Sequence, residues 1–151
     1  MRLIAVGRLK DGPERALLER YQQRLNPKLE MIEVAEGRGA PVEIKRREAQ
    51  ALLACLPTNA LVVALDEGGE RPDSVMFSQR LETWLGSARP LCFLIGGAEG
   101  LDATVMARSD TSLSLGPMTW PHMLVRGLLA EQLYRARAIS TGHPYHRAGR
   151  P

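Results

Sequence analysis

Three stretches of this sequence bring together side chains that can do chemistry. The first is His143-Pro144-Tyr145-His146-Arg147, close to the C-terminus. An imidazole, a phenol and a guanidinium in a row offer an acid or base, a stacking face and an anion clamp. Histidines three apart raise the question of a metal, but no cysteine or carboxylate stands near enough in sequence to complete a ligand set, so no metal is expected. A solvated C-terminus explains the same residues without any chemistry. The second stretch is Leu115-Gly116-Pro117-Met118-Thr119-Trp120-Pro121-His122. Its two prolines fix φ at both places. Such a stiff loop can hold backbone N–H and C=O groups against the edge of a heterocycle, with Met118 and Trp120 as apolar contacts. A rigid strand-to-helix connection accounts for the prolines but not for His122 at the mouth. The third is Ile95-Gly96-Gly97-Ala98-Glu99-Gly100, with glycines where a chain turns sharply or a ligand approaches without a Cβ in the way. It lacks the G-x-G-x-x-G spacing of a dinucleotide loop, and no Lys-Ser or Lys-Thr follows as in a P-loop. With no cation beside it, the loop suits a ligand without phosphates; an ordinary tight turn fits it equally well.

The elements that must position these stretches alternate between extended and helical patterns. Residues 2–6 read as a strand ended by Gly7, and 13–25 as a helix with Leu17, Leu18, Tyr21 and Leu25 on one face. Residues 29–35 alternate like a second strand. After EGRGAP, residues 42–56 return as a helix whose outer face carries Lys45, Arg46, Arg47 and Glu48. Residues 61–65 and 91–95 are continuous apolar runs, as strands covered on both faces should be. The first is closed by Asp66-Glu67-Gly68-Gly69 and the second by the glycine loop. Residues 74–85 form a third helix, 112–115 a short fifth strand and 123–139 a long final helix. The order predicts one α/β domain over residues 1–151, a mostly parallel sheet with helices on both faces. In such a sheet ligands bind beyond the carboxyl ends of the strands, so the loops after Leu65, Ile95 and Leu115 are the ones to search.

Composition narrows the class. The chain has 151 residues, 44% apolar and 25% charged, with 20 basic against 17 acidic side chains. That balance excludes a basic DNA-coating tail and a disordered acidic module. The first 100 residues carry 14 charges of each sign, so the whole excess lies in the last third, with all three histidines. Cys55 and Cys92 sit inside apolar runs and read as buried free thiols. No stretch approaches the ~20 apolar residues of a membrane span, and the N-terminus has too short an apolar run for a signal peptide. A cytoplasmic protein is expected.

The string PHMLVRGLLAEQLYRARAISTGHPYHR, with LIGGAEGL and the N-terminal MRLIAVGRLK, closely resembles the ribosomal RNA large subunit methyltransferase H family, a minimal branch of the SPOUT class. The resemblance spans nearly the whole chain. It implies a homodimer with a trefoil knot in its C-terminal half, using S-adenosylmethionine to make N3-methylpseudouridine in large-subunit ribosomal RNA. Sequence rules alone would exclude a knot. Carried over by motif, the cofactor positions fall on Leu65, on Gly97, and on Gly116, Pro117, Met118, Thr119, Trp120 and Pro121. These lie in the three loops already singled out. The catalytic positions fall on His122, Arg126, Tyr145, His146 and Arg147. The chain departs from the family pattern in reading GGAEG for GGPEG, in Trp120 where an aliphatic residue is commoner, and in continuing past Arg147 with Ala-Gly-Arg-Pro.

For such a reaction the enzyme must align the acceptor nitrogen, methyl carbon and sulfur, and remove the imide proton. His122, His146 and Tyr145 are candidate acceptors for that proton, and Arg126 or Arg147 could stabilise the anion. The final helix is apolar on most sides, more than one buried face requires, which suits a helix shared between core and subunit interface. Five arginines against one glutamate after His122 make the tail the expected phosphate contact. The modest net charge points to a structured target such as an assembled ribosome. Two other readings are a cofactor-free RNA-binding factor and a Rossmann-type nucleotide hydrolase; the failed dinucleotide fingerprint weighs against the second.

Overall fold

The computed structural model describes residues 1–147; the expectation attached to the last four residues lies outside them. Five strands, β1 (Arg2–Val6), β2 (Glu30–Val34), β3 (Leu61–Glu70), β4 (Leu91–Ile95) and β5 (Thr111–Leu113), build one sheet in the order β2-β1-β4-β3-β5. Every neighbouring pair is parallel. The helices are α1 (Pro13–Gln22), α2 (Pro41–Ala54), α3 (Ser74–Gly86), α4 (Ala103–Arg108) and α5 (His122–Ser140).

Because strand side chains point to opposite faces in turn, the apolar runs at β1, β3 and β4 feed two cores. Leu3, Val63, Phe93 and Ile95 face one side, where Leu18 of α1, Leu81 of α3 and Leu129 and Leu133 of α5 cover them. Ile4, Val6, Val62, Cys92 and Leu94 face the other, under Leu52 of α2 and Val105 of α4. The expected parallel sheet with helices on both faces is therefore present. α1 lies very close to α5 at Gly127, where a Cβ would come within 2.7 Å of Leu17.

Three local expectations are corrected. β3 does not stop at Leu65 but runs to Glu70, its register on β5 shifting between the two. A Cβ on Gly69 would stand 2.8 Å from the Leu113 backbone, so the glycines that read as a terminating turn permit this close second approach. α4 was not expected; it is a six-residue helix capped by Asp102, whose carboxylate accepts the Thr104 N–H at 2.9 Å. Glu48 is not on the outer face of α2: only 4% of it is exposed, and it accepts the Gly37 N–H at 2.9 Å. Both cysteines are free, and no helix among the described residues is long and apolar enough to cross a membrane.

α5 starts from the edge strand β5 yet is bolted to β1 on the other side of β4 and β3. The bolt is Arg126, which is 0% exposed. Its guanidinium donates to the carbonyls of Val6 at 2.5 Å and Gly7 at 2.9 Å, and to Glu33 at 3.2 Å. Residues 114–121 must therefore cross the carboxyl ends of β3 and β4.

Candidate functional site

That crossing closes a cleft of about 720 Å³ at the carboxyl ends of β3, β4 and β5. Its floor is Leu65, Ile95 and Leu113, one wall is the glycine loop and the other is residues 114–122. Seven of the eight expected cofactor positions line it: Leu65, Gly97, Gly116, Met118, Thr119, Trp120 and Pro121. Pro117 is exposed and does not line it.

The two walls are held in different ways. Gly116 has φ +125°, a backbone region open mainly to glycine, and its N–H donates to the Ser114 hydroxyl at 3.1 Å. Thr119 donates to Glu67 at 3.1 Å, tying this loop to the β3 extension. Met118, 67% exposed, and Trp120, 38% exposed, are left bare at the mouth. The opposite wall is a tight turn in which the Gly100 N–H meets the Gly97 carbonyl at 3.1 Å. A Cβ on Gly97 would come within 2.8 Å of Glu48 Oε2, 3.0 Å of Oε1 and 3.1 Å of Val6 Cγ1. Glycine is required there by the protein's own interior, before any ligand is considered.

The charges around the cleft are unusual. Asp66, Glu67 and Glu99 line it, against Lys45 and His122 and, among the described residues, no arginine. This arrangement repels a polyphosphate and suits a ligand with positive charge and at most one carboxylate. Asp66 and Glu99 lie in loops the sequence had singled out, without being named as site residues, whereas nothing in the sequence pattern flagged Lys45. Lys45 comes from one turn before Glu48 on α2, and only the fold brings it to the glycine loop.

His122 lines the cleft at the first turn of α5, and its Nε2 is buried without a hydrogen-bond partner among the described residues. Burial, and then the nearby Arg126 charge, lower its pKa below the ordinary 6.5, with Glu36 and Glu48 opposing. The imidazole is thus neutral near pH 7. Glu48 Oε2 is another buried polar atom without a partner among the described residues.

The other expected catalytic residues are elsewhere. Arg126 does not line the cleft: its guanidinium is buried and donates to the β1 carbonyls and Glu33, with Nε left without a partner among the described residues. Tyr145 packs edge-on against Tyr134 with ring centroids 4.8 Å apart. It donates to Glu131 at 3.0 Å, shares a hydrogen bond with Tyr21 at 3.1 Å, and lies under the Arg135 guanidinium at 5.0 Å. Burial, followed by its hydrogen bonds with Tyr21 and Glu131, raises its pKa well above that of a free phenol, so in this arrangement it holds its proton. His146 Nδ1 stands 3.5 Å from Arg135, and Arg147 is exposed. From His122 to Arg135 is thirteen residues of helix, roughly 20 Å at 1.5 Å per residue. The tail therefore does not reach the cleft of its own chain. Among the described residues no group of three His, Cys, Asp or Glu is placed to hold a metal ion.

Sequence and fold match a known class. A family model described as a predicted SPOUT methyltransferase covers residues 1–146. A probable methyltransferase from Bordetella pertussis Tohama I superposes with TM-score 0.57 at 15% identity, covering 89% of this chain and 94% of that one. A probable methylase family protein from Haemophilus influenzae Rd KW20 gives 0.56 at 8%, covering 97% and 70%. At such identities these two speak for the fold alone. Much nearer in sequence are proteins named ribosomal RNA large subunit methyltransferase H. The one from Gluconacetobacter diazotrophicus is 72% identical, covering 100% of this chain and 99% of the relative. That from Acidiphilium cryptum is 54% identical, covering 100% and 96%. The chain belongs to the SPOUT methyltransferase family and, within it, to the group these relatives form.

Proposed function

We propose that this chain is an S-adenosylmethionine-dependent methyltransferase that works as a cytoplasmic homodimer and methylates N3 of a pseudouridine in large-subunit ribosomal RNA, on an assembled ribosome. The observation that carries this reading is the cleft: backbone walls, apolar floor, three carboxylates, one lysine and, among the described residues, no arginine. S-adenosylmethionine has a sulfonium, an ammonium and a carboxylate but no phosphate, which is the charge pattern the cleft complements. When bound, it supplies an activated methyl group. Lys45 would hold its carboxylate and Asp66, Glu67 and Glu99 its cationic parts. Met118, Trp120 and the Gly116 and Gly97 backbones would take the heterocycle and ribose.

His122 is the group best suited to accept the imide proton, since burial keeps it neutral and leaves Nε2 unpaired. Arg126 is a positioning residue that fixes the helix carrying His122. The tail residues Tyr145, His146 and Arg147 would complete the cleft of a second copy, because they lie too far along α5 to complete their own. The partly exposed apolar residues Leu124, Leu128 and Ile139 on α5 support such an interface, and all 151 residues would act as one domain. The crossing of residues 114–121 past the β4 loop supports a trefoil knot in the C-terminal half.

Labelled methyl transfer to ribosomes lacking the modification, with the nucleotide mapped, tests the reading. Label on N3 of a pseudouridine is expected. Label on another atom or base refutes the substrate, and no transfer with no cofactor binding would leave a cofactor-free RNA-binding factor.

A further inference from the structure

The cations of this chain fall into two sets. Ten arginines lie within 4 Å of a carboxylate. They include every arginine of α5: Arg126 on Glu33, Arg135 on Glu131 and Arg137 on Glu82. The C-terminal excess of positive charge, which in the sequence marks the phosphate contact, is thus largely spent inside the molecule. Arg147 is the one arginine beyond α5 among the described residues.

Another set is free and in a better place. Arg8, Lys10 and Arg38 are exposed, and among the described residues none has a carboxylate within 4 Å or a side-chain hydrogen bond. They sit on the loops that leave β1 and β2 at the carboxyl edge of the sheet, the edge on which the cleft opens. These two strands are direct neighbours, so the loops run side by side. Both loops are anchored. Leu9 is tied by its N–H to Glu33 at 2.6 Å and by its carbonyl to Arg15. On the second loop the Gly37 N–H is held by Glu48, and the Arg38 carbonyl accepts from Arg47 at 3.3 Å. Gly7, next to Arg8, lies against Met123, the residue after His122; a Cβ there would be 2.8 Å from Met123 Cε. Most carboxylates nearby are already engaged, Asp11 by Arg15, Glu33 by Arg126 and Glu43 by Arg46 and Arg47. Glu14 and Glu36 remain without an ion-pair partner among the described residues.

We propose that Arg8, Lys10 and Arg38 form a phosphate-binding rim that grips the RNA backbone while the target base enters the cleft. Three long cationic side chains on fixed backbone, with no internal partner, are what sequence-independent contact with a polyanion requires. The cleft behind them carries the opposite charge, so phosphates are held at the rim and kept out of the pocket. The inference rests on the ribosomal RNA reading above.

The test compares wild type, Arg8→Ala/Lys10→Ala, Arg38→Ala and the control Arg24→Ala/Lys28→Ala. The control removes two exposed cations at the opposite edge of the sheet, where β1 and β2 begin. Methyl transfer to ribosomes lacking the modification is measured over a range of salt, with S-adenosylmethionine binding followed by calorimetry. For the rim variants KM for ribosomes should rise several-fold, with kcat and cofactor affinity unchanged. The slope of log kcat/KM against log salt should flatten by about 1 per side chain removed, and the control should match wild type. Rim variants with wild-type KM and salt slope overturn the rim alone, as does a raised KM with unchanged slope. A wild-type protein inactive on ribosomes overturns the functional reading and the rim with it.

Discussion

Replacing Gly97 by alanine separates two explanations for a glycine in the cleft wall. The added methyl would meet the Glu48 carboxylate at 2.8 and 3.0 Å and Val6 Cγ1 at 3.1 Å. Val6 is fully buried in the interior strand β1 and cannot retreat. Glu48 can move only by giving up the Gly37 N–H. Forcing a methyl into a packed site costs about 1–3 kcal/mol, and losing a charge-assisted hydrogen bond adds about 1.5–3 kcal/mol. In a chain of this size each kcal/mol shifts Tm by about 2–4 °C, so Gly97→Ala should melt on the order of 10 °C below wild type. Adding Glu48→Ala removes the two nearest contacts. The double variant should therefore be more stable than the two single losses together imply, by about 1 kcal/mol or more. Thermal melts of the four proteins, followed by cofactor calorimetry on those folded at 25 °C, decide it. A wild-type Tm for Gly97→Ala combined with loss of S-adenosylmethionine binding would show that the ligand, and not Glu48, demands the glycine. Strict additivity in the cycle would refute the clash itself.

Arg126→Met leaves Glu33 without its cation and the Val6 and Gly7 carbonyls without the guanidinium donor; it should cost about 3 kcal/mol or more in denaturant unfolding and lower activity only through loss of fold. Equal stability with lost turnover would return Arg126 to the chemistry. Leu129 is fully buried whereas Leu128 is half-buried, so Leu129→Glu should unfold the chain and Leu128→Glu should give a folded monomer by light scattering. A folded dimer carrying Leu128→Glu would remove that face of α5 from the interface. Because burial lowers the pKa of His122 below 6.5, turnover should rise with pH through an apparent pKa under that value and then level off. His122→Asn should abolish that limb and reduce kcat by about 10²–10⁴. The same shift has a consequence for stability: the unfolded imidazole binds a proton more readily than the folded one, so stability should decline as pH falls through 6.5.

The sequence was most legible where one physical rule dominated. Residues 61–65 and 91–95 are wholly apolar, as are 3–6 after Arg2, and a strand covered on both faces accommodates such runs. The cleft followed from these strands, because parallel order puts the loops after Leu65, Ile95 and Leu115 at one edge. What stayed hidden depended on contacts between distant residues. Glu48 reads as an exposed charge beside Arg46 and Arg47; only the approach of Gly37 shows it to be interior. Gly68-Gly69 has the composition of a turn, yet its glycines let β3 continue past β5. Arg126 and the tail matched catalytic motifs, but residue type does not reveal which partners a side chain already has. For Arg126 these are 93 and 120 residues away.

The bolt between α5 and β1 ties together segments 120 residues apart, and this has a bearing on how the protein is made. Residues 2–6, which leave the ribosome well before most of their partners, occupy an interior strand flanked by β2 and β4. One neighbour arrives at residue 30, the other not until residue 91. The Val6 and Gly7 carbonyls wait longer still, for residue 126. During synthesis the N-terminal apolar segment must therefore stay unpaired on one edge through most of translation, a situation in which non-local parallel pairing is slow and prone to aggregation. A nascent chain arrested before β4 should be protease-sensitive throughout, and protection should appear in one step only after α5 has emerged.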